Sequence, residues 1–209
     1  MKVMVVSANG KVGRLVVKEA MARGMDVTAV VRHADQSGAQ HHLLRDLFDL
    51  TREDVKGFDV LVCAVGFFTP ETVSLFGKAF MHLADLVEGT ATRLMIVGGA
   101  GALYVDDART VRLVDTPDFP DAYKPLASNM AAGLAQLKAR HGVDWTYVPP
   151  AAEFLPDGAK TGHYVAGDDR FSVNAQGVSQ ISYADYALGF VDEMEKGVYR
   201  GGKVMSLRW

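Results

Sequence analysis

Seven residues close to the start of the chain, Ser7-Ala8-Asn9-Gly10-Lys11-Val12-Gly13, set two glycines three apart with a lysine between them. They follow a short apolar run, Lys2–Val6. They precede Val12, Leu15, Val16, Ala20 and Met21, which fall near helical spacing over Val12–Arg23. Glycine at a strand-to-helix turn lets the backbone come close to a ligand, and the first amides of the helix then offer unpaired N–H groups and the positive end of its dipole to a phosphate. Gly13 allows the helix to lie close on the sheet. A second run, Val27–Val31, completes a βαβ unit of about thirty residues. That run ends Val30-Val31-Arg32-His33-Ala34, with no acid before Asp35. An NAD site places Asp or Glu there for the ribose 2′-hydroxyl, whereas a guanidinium grips a 2′-phosphate bidentately. The expected cofactor is therefore NADP rather than NAD, held by Ser7, Asn9, Gly10, Lys11, Val12 and Arg32, with Arg14 assisting.

The remaining elements alternate in the same way. Strands are expected at His42–Arg45, Val60–Val65, Arg93–Val97, Trp145–Val148 and Lys203–Leu207. Helices are expected over Glu71–Glu88, with Thr69 as N-cap, over Ala122–Arg140, and from the Ser182-x-x-Asp185 capping box to about Lys196. Alternating strands and helices predict an α/β fold, a doubly wound parallel sheet of Rossmann type, in one domain spanning 1–209. Residues 150–181 read as a small irregular lobe on the substrate side. Ligands of such sheets sit off the carboxyl ends of the strands. Ala64, Val65 and Gly66 after the fourth strand, Gly98 and Gly99 after the fifth and Pro149 after the sixth thus join the expected cofactor channel, with Asp46 toward the adenine and Lys124 toward the ribose. Phe67, Phe68, Tyr104 and Phe154 suit a planar substrate.

Composition narrows the class. The chain has 209 residues, 22 basic and 25 acidic side chains and a net charge of −3. Six of the basic residues and only two acids lie in the first 33 positions, the balance a phosphate-bearing ligand prefers. A sequence pI near 6.1 argues against a nucleic-acid binder. Apolar runs such as Leu61–Phe68 are too short to span a membrane, and no basic-then-apolar leader follows Met1, so a cytoplasmic protein is expected. The single cysteine, Cys63, excludes a disulfide framework and reads as an inert core thiol. His41 and His42 are adjacent on a strand and point to opposite faces, so no metal site is expected. Homodimer formation is left open.

The opening Lys-Val-Met-Val-Val-Ser-Ala-Asn-Gly-Lys-Val-Gly resembles the glycine turn of atypical short-chain dehydrogenases/reductases. The segments Ile96–Gly101, Leu113–Pro120 and Asp144–Ala151 resemble its bacterial NAD(P)H-binding subgroup labelled NADH–flavin reductase, which is similar to NmrA-like and biliverdin reductase B-like proteins. The resemblance spans nearly the whole chain and implies dinucleotide binding. The family's first turn glycine is Ser7 here, which a serine tolerates at negative φ.

Classical members of that family carry a Tyr-x-x-x-Lys pair on one helix face, where the ammonium lowers the phenol pKa. Only Tyr199-Arg200-Gly201-Gly202-Lys203 matches the spacing, and its Gly-Gly predicts a turn. The serine expected after the fifth strand is also absent. No catalytic residue is assigned; His163 and Tyr164 are candidate proton donors in the small lobe. Two functions are consistent with this inventory. One is an NADP-dependent oxidoreductase passing hydride to a small planar acceptor, a flavin or quinone, that takes its proton from solvent. The other is a non-catalytic NAD(P)-binding redox sensor of NmrA-like type. A sugar epimerase is disfavoured, because it too needs the Tyr-Lys pair.

Overall fold

The computed structural model describes all 209 residues. Its elements are, in chain order, β1 (Lys2–Val6), α1 (Lys11–Ala22), β2 (Asp26–Val31), β3 (His41–Leu44), α2 (Arg52–Val55), β4 (Val60–Cys63), α3 (Leu75–Val87), β5 (Arg93–Val97), α4 (Lys124–Lys138), β6 (Trp145–Val148), β7 (Glu153–Leu155), β8 (Val165–Gly167), β9 (Gln180–Ser182), α5 (Tyr183–Lys196), β10 (Lys203–Val204) and β11 (Ser206–Arg208). Seven strands form one sheet in the order β10-β6-β5-β4-β1-β2-β3, every pair parallel. The chain leaves β1 toward β2 on one side and returns to β4 on the other. The order therefore reverses between β1 and β4, and the crevice of a doubly wound sheet opens at that switch point.

The β-branched runs form strands because both faces of a parallel sheet are covered, so alternation of polar and apolar residues is unnecessary. One core layer packs β4 and β5 side chains such as Leu61, Leu94 and Ile96 under α3 and α4. The other packs Val3, Val5 and Val62 under α1 and α5. Arg93 is buried at the start of β5 and pairs with buried Glu193 of α5 at 2.5 Å, its Nη2 also donating to Thr146 of β6 at 2.6 Å. This ion pair ties α5 to the sheet, and truncating either partner would strand a buried charge.

Three expectations shift. β4 ends at Cys63 and not at Val65, because the Ala64 amide donates to the Val6 carbonyl and the chain then leaves the sheet. The helix expected from Glu71 begins at Leu75, because Thr69 opens a turn instead, accepting from the Thr72 and Val73 amides. The last strand divides at Met205: β10 pairs with β6, whereas β11 turns aside to pair antiparallel with β8. The segment 150–181 holds β7 and β8, short strands that pair with β9 and β11 beside α5. No helix is long and apolar enough to cross a membrane.

Candidate dinucleotide site

The start of α1 lies at the switch point. Gly10 is its N-cap, with φ −68° and ψ 160° and therefore no side-chain cap, and the first turn holds no acid. The Lys11, Val12 and Gly13 amides have neither a capping oxygen nor a carboxylate beside them, and Lys11 and Arg14 add positive charge. The first turn of a helix left in this state binds an anion. The two glycines act differently. A Cβ on Gly13 would stand 2.5 Å from the Ser7 carbonyl oxygen, so Gly13 is required by the packing of α1 onto the turn. A Cβ on Gly10 would stand 3.2 Å from that oxygen and 3.9 Å from the Ala64 carbonyl, filling the gap between the turn and the end of β4. That gap is the cradle a diphosphate needs, so the residues present fit a dinucleotide.

Ser7 departs from expectation. Its φ is +62°, not negative, so a serine occupies the left-handed conformation that glycine adopts without strain. The reason is local: the Ser7 and Ala8 amides both reach the Val30 carbonyl while the Ser7 carbonyl accepts from the Gly10 amide, which closes the turn tightly after β1.

Asn9 and Arg14 also differ from their expected use. The Asn9 side chain donates to the Ala34 carbonyl at 3.0 Å and accepts from the Gln36 amide at 2.7 Å. Arg14 donates through Nε to the Asn9 carbonyl at 2.8 Å and through Nη2 to Gln36 Oε1 at 2.7 Å. Both therefore hold the loop after β2. Arg32, in that loop, is exposed and makes no hydrogen bond or ion pair within the protein. The first acid after β2, Asp35, turns away to accept from the Ser37 amide and hydroxyl at 2.9 and 2.7 Å. Asp46 caps a short helical turn through the Phe48 amide.

Across the crevice, the Phe68 ring lies on Gly66, where any Cβ would overlap it, and 78% of Phe68 is exposed. Phe67 is half-buried, edge-on to Phe76 with centroids 5.1 Å apart. Phe154 packs against Tyr183 at 4.0 Å and Tyr186 at 4.9 Å, near the end of β6, where the Tyr186 hydroxyl donates to the Val148 carbonyl. Gly98 and Gly99, the glycines expected along the channel, are also small because the protein's own side chains leave no room for a Cβ. A Cβ on Gly98 would meet the Tyr147 ring at 2.5 Å and the Pro149 nitrogen at 2.9 Å, and one on Gly99 would stand 3.0 Å from the Met130 sulfur.

Tyr104 is held by another part of the fold. Its amide donates to the Asp169 carbonyl, its carbonyl accepts from the Phe171 amide, and its ring stacks under the Lys138 ammonium in the last turn of α4. That is about 20 Å along the helix from Lys124 at its start, where the crevice opens. Lys124 itself is paired with Asp121 at 2.8 Å. No relay forms. Tyr199 and Lys203 flank a turn of two positive-φ glycines, and the Lys203 ammonium faces the Val198 carbonyl. The two phenols nearest the end of β6 are fully buried: burial pushes Tyr147 and Tyr186 well above the ordinary range, and the same effect raises the Cys63 thiol to about 12. His163 is exposed. The Tyr164 hydroxyl donates to Asp192 at 2.5 Å on α5, away from the crevice.

Comparison with known proteins agrees with this geometry. The protein YwnB of Bacillus subtilis (strain 168) is 45% identical over 198 residues, 93% of this chain and 92% of its own. A Streptococcus pneumoniae TIGR4 crystal structure, described as that of a proposed NADH-flavin reductase, is 47% identical. It superposes with a TM-score of 0.97 over 100% of this chain and 99% of its own. The structure of a proposed epimerase from Bacteroides thetaiotaomicron is 29% identical with a TM-score of 0.83, covering 100% and 96%. The model of the NAD(P)H-binding family matches residues 7–194, from the turn serine to the last turns of α5. The chain belongs to the NAD(P)H-binding family.

Proposed function

We propose that this protein is an NADP-dependent oxidoreductase that passes a hydride to a planar acceptor such as a flavin or quinone. The observation that carries the cofactor choice is the pairing of an uncapped, acid-free α1 N-terminus with an unpartnered guanidinium, Arg32, at the end of β2. The α1 amides would hold the diphosphate, Arg32 the 2′-phosphate, and the Gly10–Ala64 gap the approach between them. When bound, the nicotinamide supplies the hydride. The chain contributes position and shelter: the exposed Phe68 face and the half-buried Phe67 and Phe154 offer flat apolar surface to the acceptor. Tyr147 and Tyr186 are buried and raised, so neither of these phenols is poised to deliver a proton. This favours acceptors that take theirs from water. The similarity to a proposed NADH-flavin reductase supports the same acceptor class.

Calorimetry with NADPH and NADH tests the cofactor assignment. Arg32→Glu should weaken NADPH by about a hundredfold, the scale of replacing a charge-assisted contact with a repulsion, and change NADH by less than about threefold. Equal losses would refute the 2′-phosphate role. NADPH oxidation with FMN, FAD and quinones tests the reaction. The absent proton relay also fits a redox sensor, and tight NADP(H) binding with no turnover on any acceptor would establish that second reading.

A further inference from the structure

Arg32 sits in a span held at both ends. Before it, Val31 is buried in the sheet, with its carbonyl accepting from the Arg45 amide at 2.9 Å. Two residues after it, the Ala34 carbonyl accepts from the Asn9 side chain, and the Gln36 amide donates back to the same side chain. Arg14 closes the ring, joining the Asn9 carbonyl to the Gln36 side chain. Two hydrogen bonds of 3.0 and 2.7 Å thus fasten the loop after β2 directly to the turn after β1, across 25 and 27 residues of sequence, and Arg14 of α1 braces both with bonds of 2.8 Å to the turn and 2.7 Å to the loop. The Arg32 side chain itself touches no polar partner.

We infer that Asn9 is a specificity-positioning residue: its side-chain amide fixes the distance between the diphosphate turn and the Arg32 guanidinium, and so sets the preference for a 2′-phosphorylated dinucleotide without touching it. This rests on the assignment of Arg32 to the 2′-phosphate. The physical reason is entropic. A loop free to wander must be ordered when the phosphate binds, whereas a loop already fastened presents its charge at a fixed spacing. The staple occupies both polar atoms of the Asn9 amide and two guanidinium nitrogens of Arg14, so neither side chain is left free to serve as the main ligand contact. Asparagine suits the task because it accepts through one oxygen and donates through one nitrogen at once, which neither aspartate nor alanine does.

The test is a double-mutant cycle on NADPH and NADH dissociation constants, using the full chain and variants Asn9→Ala, Arg32→Ala and the pair. Asn9→Ala should weaken NADPH by about fivefold to tenfold, the equivalent of one or two net hydrogen bonds, and leave NADH within about twofold. In the Arg32→Ala background the same change should leave NADPH nearly unaltered. Gln36→Ala, which spares the Asn9 contacts but frees Arg14, should lower the NADPH preference by a smaller factor in the same direction. Equal weakening of both dinucleotides by Asn9→Ala, or an undiminished effect in the Arg32→Ala background, would overturn the inference and mark Asn9 as a direct contact to the shared part of the ligand. If Arg32→Ala alone leaves NADPH affinity unchanged, the 2′-phosphate assignment has failed, and that result is read before Asn9 is considered. Hydrogen exchange of the Gln36 amide in Asn9→Ala checks that the staple has opened.

Discussion

α1 and α5 lie side by side on one face of the sheet and run the same way, since Arg23, just past α1, pairs with Asp192 and Glu195 near the end of α5. Their N-termini are built as opposites. α5 starts with Ser182, whose hydroxyl accepts from the Asp185 amide, and carries an acid in its first turn. That acid, Asp185, is completely buried and accepts from the Thr161 amide and hydroxyl, the Gly162 amide and the Trp209 indole, at 2.6 to 2.9 Å. α1 starts with a glycine, no cap and no acid. The same positive helix end is satisfied internally in one case and left to solvent in the other. A fold that can close a helix start so completely leaves one open at a stability cost of only about a few tenths of a kcal/mol, the usual difference between a serine and a glycine cap. The open one carries the glycine turn that suits a ligand, and the contrast supports that assignment from within a single molecule.

The largest effect should come from breaking the closed end. Asp185→Asn keeps the shape of the side chain but turns an NH2 toward at least one donor and removes the charge. A loss of about 3 kcal/mol is expected, seen as a melting temperature lower by roughly 6–12 °C, while the folded variant binds dinucleotide as the parent does. The same group predicts the acid limb of stability. Burial alone would raise the Asp185 pKa, but its hydrogen bonds from Thr161, Gly162 and Trp209 hold it below the usual carboxylate range. Asp192, opposed likewise by burial but paired with Lys196, Tyr164 and Arg23, falls to about 2. A carboxylate lowered in the folded state contributes stability above its unfolded pKa of about 4 and loses that contribution as pH falls through the folded value. Melting temperature should therefore drop steeply below pH 4 in the parent, and less steeply in Asp185→Asn. Identical slopes would show that Asp185 is not one of the groups responsible.

The open end should respond in the reverse sense. Gly10→Val places a branched side chain in the Gly10–Ala64 gap at a φ of −68° that valine accepts. The protein should lose more than the roughly 1 kcal/mol that separates glycine from valine at an N-cap, because the new Cβ presses on the Ser7 carbonyl at 3.2 Å, while affinity for both NADPH and NADH falls by about a hundredfold. Unchanged affinity would show that the gap has no ligand to admit.

How much of this contrast the sequence disclosed depends on the range of the interactions involved. The strands of the main sheet and the glycine turn were legible because their signals are local: continuous Val, Leu and Ile runs, and glycines at a fixed offset from a strand. The Ser182 cap was legible for the same reason. Its partner was not, because Asp185 reads as the second half of a capping box, yet its carboxylate is used by residues 23 and 24 positions away. Asn9 reads as a ligand contact because a polar residue in a phosphate turn suggests one. Its side-chain partners within the fold, Ala34 and Gln36, become neighbours only once β1 and β2 pair. Tyr104 shows the same limit: its type announces a flat surface, but pairing with Asp169 and Phe171 decides where that surface goes.

Ser7 separates the two halves of the comparison most finely. The turn that keeps α1 open demands φ +62° at this position, where a non-glycine residue bears about 1–2 kcal/mol of strain. Ser7→Gly removes that strain but also gives the unfolded chain more freedom, worth about 0.4–1 kcal/mol in the other direction. The two effects nearly cancel, so a gain of about 0.5 kcal/mol is expected, visible as a rise of 1 to 2 °C in melting temperature. Ser7→Ala retains the strain and lacks only the hydroxyl, which makes no hydrogen bond within the protein; it should melt with the parent. If the hydroxyl contacts bound ligand, both variants should weaken NADPH and NADH alike by a few-fold, glycine despite its greater stability. That divergence between stability and affinity would show strain kept at the open helix start for the sake of a contact. A parallel gain in both for Ser7→Gly would show instead that the serine is merely tolerated there.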